Sequence, residues 1–381
     1  MTTVPAPKET RAISHRSVAA KGVGLGAFRA HGNRKRFPLL PVFLSCLLGC
    51  AQSQDKTVSD LELTFGPPVL QVGSLDDSGI SFGLISDLAV SPHGEVFVLD
   101  RMDARVVQLS SSGELIGEFG RRGPGPGEFL DPIAIQLMAG PGVAVLDLRK
   151  LTLTLLSYGS AGLSLDREIQ LRQPATSFCA TEDLIVINPT TGMHAGQVLD
   201  LAGNEIAGVF GLPQTVDPAF DVGLQDRLRD FLRVGRFACT GNGTVFFVPE
   251  WNPKVRQAVL AGEEGPAFDL DPFEALRWER RDDGNFLPAV DPALGWAHRN
   301  VNLRLVSDEV ILVQLMTYGP SGGGRDDPPS EYRVVELRTG TQRRVVESLP
   351  LIGGFSQGYA WGFLNTPFPQ VEKRPYLVLE R

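Results

Sequence analysis

Asp87, Asp100, Asp131, Asp147 and Asn188 are the residues of this 381-residue chain whose chemistry asks for an account first. Oxygen ligands of this kind, gathered from several segments, hold a divalent cation and let it activate water for hydrolysis. Three of them share one setting. Asp100, Asp147 and Asn188 each close a short apolar run: Val96-Phe-Val-Leu-Asp100, Val143-Ala-Val-Leu-Asp147 and Ile185-Val-Ile-Asn188. A turn role explains that placement directly, because such side chains accept backbone N–H groups where a strand ends. Three histidines follow Cys50. His93 falls in the turn Ser91-Pro92-His93-Gly94, and His194 falls in a comparable loop. His298, beside Trp296 and Arg299, is the histidine best placed for a site. Trp251 and Trp296 read as loop residues able to stack on a ligand, whereas Trp361 reads as core. No Cys-x-x-Cys pair is present. No catalytic residue and no metal site is assigned.

The elements that must position these residues repeat along the chain. Residues 87–120 parse as four short strands: Asp87–Val90, Glu95–Leu99, Arg105–Leu109 and Glu114–Phe119, joined by Gly-, Pro- and Ser-containing turns. The unit recurs over 131–171, 176–210, 236–270 and 300–348, and a sixth copy near 350–381 lacks its fourth strand. Leu61–Gly66 resembles a fourth strand without a blade of its own. Four antiparallel strands with tight turns make one propeller blade. The expected fold is therefore all-β, a six-bladed β-propeller of four-stranded antiparallel blades. The N-terminal strand completes the last blade and removes exposed edges. Two stretches break the period. Leu224, Leu228, Phe231 and Leu232 predict a helix within 211–235, and Phe273–Arg281 predicts a second short helix. Inserted loops of this kind often line a binding face. Cys179 and Cys239 fall at the ends of equivalent first strands. Pointing the same way from neighbouring blades, they are expected to remain two small buried hydrophobes rather than a bridge.

The segment Gly120-Arg-Arg-Gly-Pro-Gly-Pro-Gly-Glu-Phe129-Leu-Asp-Pro132 resembles the Gly-rich crossing loop of NHL repeats, which ends in Gly-x-Phe-x-x-Pro. The pair Asp100 and Arg105 fits the Asp-x-x-x-x-Arg element of the same family. On these residues the chain resembles the NHL-repeat, TolB-like six-bladed propellers. A complete blade plan without a recognisable catalytic constellation reads as a binding or scaffolding module at the cell envelope. Its alternative is a lactonase- or lyase-like enzyme holding a divalent cation in the central channel; otherwise no cofactor is expected.

Charge narrows the partners. Residues 1–50 hold eight of the 36 basic residues and one of the 44 acidic residues. The remainder carries a net charge of about −15, which repels phosphate backbones and argues against nucleic acid. A protein, peptide or glycan ligand and a monomeric state are expected. Residues 34–50 place Arg34-Lys35-Arg36 before an apolar run ending Leu47-Leu48-Gly49-Cys50. This is the layout of an export signal, and its end resembles a bacterial lipobox. That resemblance implies lipidation at Cys50 and attachment to the membrane through the lipid alone. The implied location is the outer membrane or the periplasmic face. The expected organisation is an extension and signal over 1–50, a linker over 51–60 and the propeller over 61–381.

Overall fold

Apolar runs of about five residues, each flanked by turn residues, set the strand lengths. The computed structural model describes residues 62–74, 79–138, 140–214, 222–260, 264–280, 286–319 and 328–379. Cys50 and the linker 51–60 lie outside the described residues. Two strands come first, β1 (Glu62–Phe65) and β2 (Leu70–Val72). Blade 1 is β3 (Ile85–Val90), β4 (Val96–Asp100), β5 (Arg105–Leu109) and β6 (Leu115–Phe119). Blade 2 is β7 (Pro132–Met138), β8 (Gly142–Asp147), β9 (Thr152–Gly159) and β10 (Gly162–Gln170). Blade 3 is β11 (Ala175–Ala180), β12 (Leu184–Pro189), β13 (His194–Asp200) and β14 (Glu205–Gly211). Helix α1 (Val222–Arg233) leads into blade 4: β15 (Gly235–Cys239), β16 (Thr244–Pro249), β17 (Lys254–Val259) and β18 (Phe268–Asp269). The hairpin β19 (Arg277–Arg280) and β20 (Phe286–Ala289) precedes blade 5: β21 (Ala297–Ser307), β22 (Val310–Tyr318), β23 (Glu331–Glu336) and β24 (Gln342–Val345). Blade 6 is β25 (Leu351–Ser356), β26 (Tyr359–Leu364) and β27 (Gln370–Leu379).

Each blade is an antiparallel sheet of consecutive strands. In blade 6 the long β27 pairs with both strands that precede blade 1. Leu63 lies opposite Val378, and Gln71 lies opposite Glu372. The fold is thus all-β, with six four-stranded blades.

The second strands are apolar on both faces because each blade packs against two neighbours. Val96 and Val98 of β4 face blade 6 and meet Trp361, Phe363 and Val371. Their alternates Phe97 and Leu99 face blade 2 and meet Ile135, Val143 and Val145. Corresponding apolar layers lie between blades 2 and 3, 3 and 4, 4 and 5, and 5 and 6. The period-two alternation of a strand therefore divides its side chains between two interfaces. The layer joining blade 6 to blade 1 closes the ring.

Phe129 of the crossing loop is fully buried between blades 1 and 2, edge-on to Phe119. Gly120 makes this possible. It sits at φ +97°, and a Cβ there would come within 2.4 Å of the Phe129 ring.

Two of the expected local structures are corrected. Phe273–Arg281 is not a helix: Arg277–Arg280 pairs with Phe286–Ala289 as a hairpin. Arg277-Trp-Glu-Arg280 suits period two at least as well as helical spacing. His194 is not in a loop but opens β13, opposite Gly211. Within 211–235 a helix does form. Leu228 of α1 is buried, and Phe231 stacks on Trp251 at 5.8 Å. Among the described residues no helix is long and apolar enough to cross a membrane.

Candidate functional site

The first strands of the blades, β3, β7, β11, β15, β21 and β25, line a central channel. All six run the same way, so it has a front mouth at their starts and a rear mouth at their ends. The front cavity, about 370 Å³, is lined by residues such as Ser86, Ile133, Thr176, Arg236, Val301 and Leu351. A waist of about 110 Å³ follows. The rear cavity, about 390 Å³, is lined by residues at the strand ends such as Val90, Met138, Thr181, Leu305 and Phe355. Both α1 and the β19–β20 hairpin enter a first strand, and so they lie toward the front mouth.

First strands do not share a backbone ladder, and side chains bridge them instead. Ser86 Oγ donates to the Pro132 carbonyl, Ser177 Oγ to Gly235, Arg236 Nε to Val301 and Asn302 Nδ2 to Ile352. Asn365, just after β26 of blade 6, bonds both backbone groups of Ile85 in blade 1. Five of the six first strands carry a register shift near the front mouth, the exception being β15. Such bulges re-aim side chains. They let consecutive residues, such as Ser86 with Asp87 and Val301 with Asn302, face the same channel.

Charge in the channel is mostly paired. Asp87 is buried and accepts from the backbone N–H of Leu88 at 2.9 Å and of Ile135 at 3.1 Å. It also pairs with Arg304, which reaches past blade 6 and donates Nε to the Gly353 carbonyl at 3.0 Å. Arg299 pairs with Glu250 and lies over the Trp251 ring, 5.4 Å from its centre. Arg101 pairs with Asp131 at 2.6 Å. Arg236 differs. Its Nε bonds the Val301 carbonyl at 3.0 Å, and among the described residues no carboxylate lies within ion-pair distance of it. Burial pushes its pKa below the usual arginine value, and Glu250 and Asp87 pull it back up. It remains a guanidinium cation.

The residues singled out in the sequence fall into three groups. Asp100, Asp147 and Asn188 are fully buried at the ends of second strands. Asp100 accepts from Gly83, Leu84 and Asp103 N–H groups. Asp147 accepts from Leu130, Asp131, Arg149 and Lys150. The Asn188 amide donates to Ala195 and to the last carbonyl of α1, Arg233, and its oxygen accepts from Gly235 N–H. Asp87 faces the waist, and Asp131 stands behind Arg101 near the front cavity. Among the described residues no three His, Cys, Asp or Glu side chains are grouped to hold a metal ion.

Trp251 belongs to a half-buried aromatic cluster with Phe231 and Tyr318, whose ring meets it edge-on at 5.1 Å. Trp296 packs edge-on against His298. His298 is buried: Nδ1 accepts from Glu274 N–H at 2.8 Å, and Nε2 lies 3.3 Å from Glu331. Glu331 also pairs with Arg333 and Arg344. Burial alone would raise its pKa, but His298, Arg344 and Arg333 outweigh that and hold it at about 2. His93 and His194 are exposed, and Trp361 is buried.

Sequence reading missed the channel arginines 236, 299 and 304. The available signal was charge inside apolar first strands, as in Gly235-Arg-Phe-Ala-Cys239. The cysteine expectation is also overturned. Cys179 and Cys239 form a disulfide with Cα atoms 5.6 Å apart, joining blades 3 and 4 beside the rear mouth. Neighbouring first strands converge on the channel, which brings equivalent positions within bridging range.

No family model matches the chain, and no curated protein matches it. Among solved structures it is similar to a protein of Bacteroides fragilis named as an exported protein: 13% identity, TM-score 0.52, over 85% of this chain and 97% of that one. It is also similar to a member of the DUF4221 family from Bacteroides vulgatus: 9% identity, TM-score 0.55, over 85% of this chain and 100% of that one. At such identities the likeness is one of fold. It agrees with the strand pairing in placing the chain among the β-propellers.

Proposed function

We propose that this chain is an exported, lipid-anchored propeller of the NHL-like, TolB-like kind. It acts as a binding or scaffolding module at the cell envelope and takes a protein, peptide or glycan at its front mouth. The observation that carries this reading is the front mouth itself. There an open 370 Å³ cavity meets a rim of Phe231, Trp251, Tyr318 and Arg299, assembled from α1, the turn after β16, the start of β21 and the end of β22. Aromatic and arginine side chains are favoured where ligands are held. The oxygens of Asp87, Asp100 and Asp147 already accept backbone N–H groups, which favours binding over channel chemistry that needs a divalent cation. Anchoring at Cys50 rests on the lipobox-like Leu47-Leu48-Gly49-Cys50.

The test uses the full chain expressed in a diderm bacterium. A photo-crosslinking residue replaces exposed Tyr318 at the front mouth or exposed Leu115 on an outer strand. A discrete envelope adduct at 318 and none at 115, with Cys50→Ser releasing the protein from membranes, is the expected result. Equal adducts at both positions would overturn the binding face. Turnover of a lactone that needs metal and fails in Asp87→Asn would overturn the binding role.

A further inference from the structure

We propose that the front cavity holds a specific site for a monovalent carboxylate with an apolar body, and that Arg236 is its anchor. This rests on the front mouth being the binding face and names what that face recognises. Three guanidiniums border the cavity, from Arg101, Arg236 and Arg299. Asp131 neutralises the first and Glu250 the third. Of the three, Arg236 alone has no carboxylate within ion-pair distance among the described residues, in a segment whose overall charge is strongly negative. Its Nε is held by the Val301 carbonyl, which fixes the plane of the guanidinium. The two terminal nitrogens have no carboxylate partner among the described residues, and that end of the fork suits the two oxygens of a carboxylate.

Charge decides between anions. One free guanidinium balances one negative charge. A phosphate dianion would leave a charge uncompensated close to Glu250 and Asp87, in a partly desolvated channel where repulsion is strong. The walls decide the body of the ligand. Ile133, Leu148, Met316 and Phe363 line the same cavity. Its volume of about 370 Å³ suits a small acid or the last residue of a peptide.

The probes are benzoate with benzamide, and N-acetyl-Ala-Ala-Phe as the acid with its amide, titrated calorimetrically into the protein. At least one acid is expected to bind saturably, with Kd below about 1 mM and at least about tenfold tighter than its amide. Phosphate is expected not to compete. Arg236→Gln should abolish the preference for acid over amide, and Arg236→Lys should keep part of it. A tighter peptide acid points to a C-terminal carboxylate as the natural ligand, and tighter benzoate to a free small acid. The acid-to-amide ratio on the unmodified protein needs no variant to fold. Equal binding of acid and amide, no binding of either acid, displacement by phosphate, or a folded Arg236→Gln with the preference intact would overturn the site. If position 318 still crosslinks an envelope partner while both acids fail, the carboxylate site falls and the binding face stands. Carboxylate binding without a crosslinked partner keeps the site and the face and overturns the macromolecular partner.

Discussion

Asp147 shows how a residue that looks catalytic can serve the fold. Its two oxygens accept from four backbone N–H groups, two at the end of the crossing loop from blade 1 to blade 2 and two in the turn between β8 and β9. Asp100 does the same one blade earlier. Removing a buried charged acceptor strands its donors, so Asp147→Ala should cost about 3 kcal/mol. In urea unfolding the midpoint should fall while the slope stays constant. A cost below about 1 kcal/mol would mean that other groups hold the turn. Glu331 supplies a pH signature. Its folded pKa of about 2 lies below the ordinary 4.5, so its stabilising effect is complete above pH 4.5. That effect is lost as pH falls from about 4.5 toward 2, up to about 3 kcal/mol. The stability gap between the wild type and Glu331→Gln should narrow over that window and stay constant above it. A gap that does not change with pH would show that the ionised carboxylate is not what the network stabilises.

Among the elements, the Cys179–Cys239 bridge couples the first strands of blades 3 and 4 across a sequence separation of 60 residues. Closing a loop of that length restricts the unfolded chain, an effect worth about 4 kcal/mol in the chain-entropy model. The double variant Cys179→Ala/Cys239→Ala should melt at a lower temperature, and its melting point should not respond to reductant. The wild type should fall toward the same value when reduced. Equal melting points for oxidised wild type and double variant would show that native packing, not the bridge, holds these strands. The β19–β20 hairpin and α1 are the elements that depart from blade geometry, and both lie toward the mouth where the arginines gather. Asn188 connects α1 to the channel: it caps the helix at Arg233 and fixes Gly235, the residue before Arg236.

For the whole molecule, closure is the decisive property. A ring leaves no blade with an uncovered apolar face only if the last blade packs on the first as tightly as any other pair. Gly353 of β25 marks that closeness. A Cβ there would lie 2.1 Å from the Leu88 side chain and 2.5 Å from the Leu88 carbonyl oxygen. Backbone does not move aside cheaply, so Gly353→Ala should destabilise by about 1–3 kcal/mol. It should also raise the rate of proteolysis near the seam between blades 6 and 1. A neutral substitution would mean that the seam is looser than the interface between blades 1 and 2.

The sequence determined the blade plan on its own. Period-two strands, turn residues at regular spacing and the Phe129 crossing loop are local signals, and each strand's two apolar faces already require two neighbours. It also marked Asp100, Asp147 and Asn188 as one repeat position at the ends of second strands, because that position is visible without any fold. The candidate site was not readable in the same way. Arg236 comes from β15 and Arg299 and Arg304 from β21, the partners of the latter two, Glu250 and Asp87, come from the turn after β16 and from β3, and bulges decide which residues of β21 and β3 face inward. Which cation keeps no counter-ion depends on distances across the channel. Whether Cys179 meets Cys239 depends on how closely the first strands converge. Only the closed ring sets those distances, because they join residues far apart in the chain that no local pattern relates.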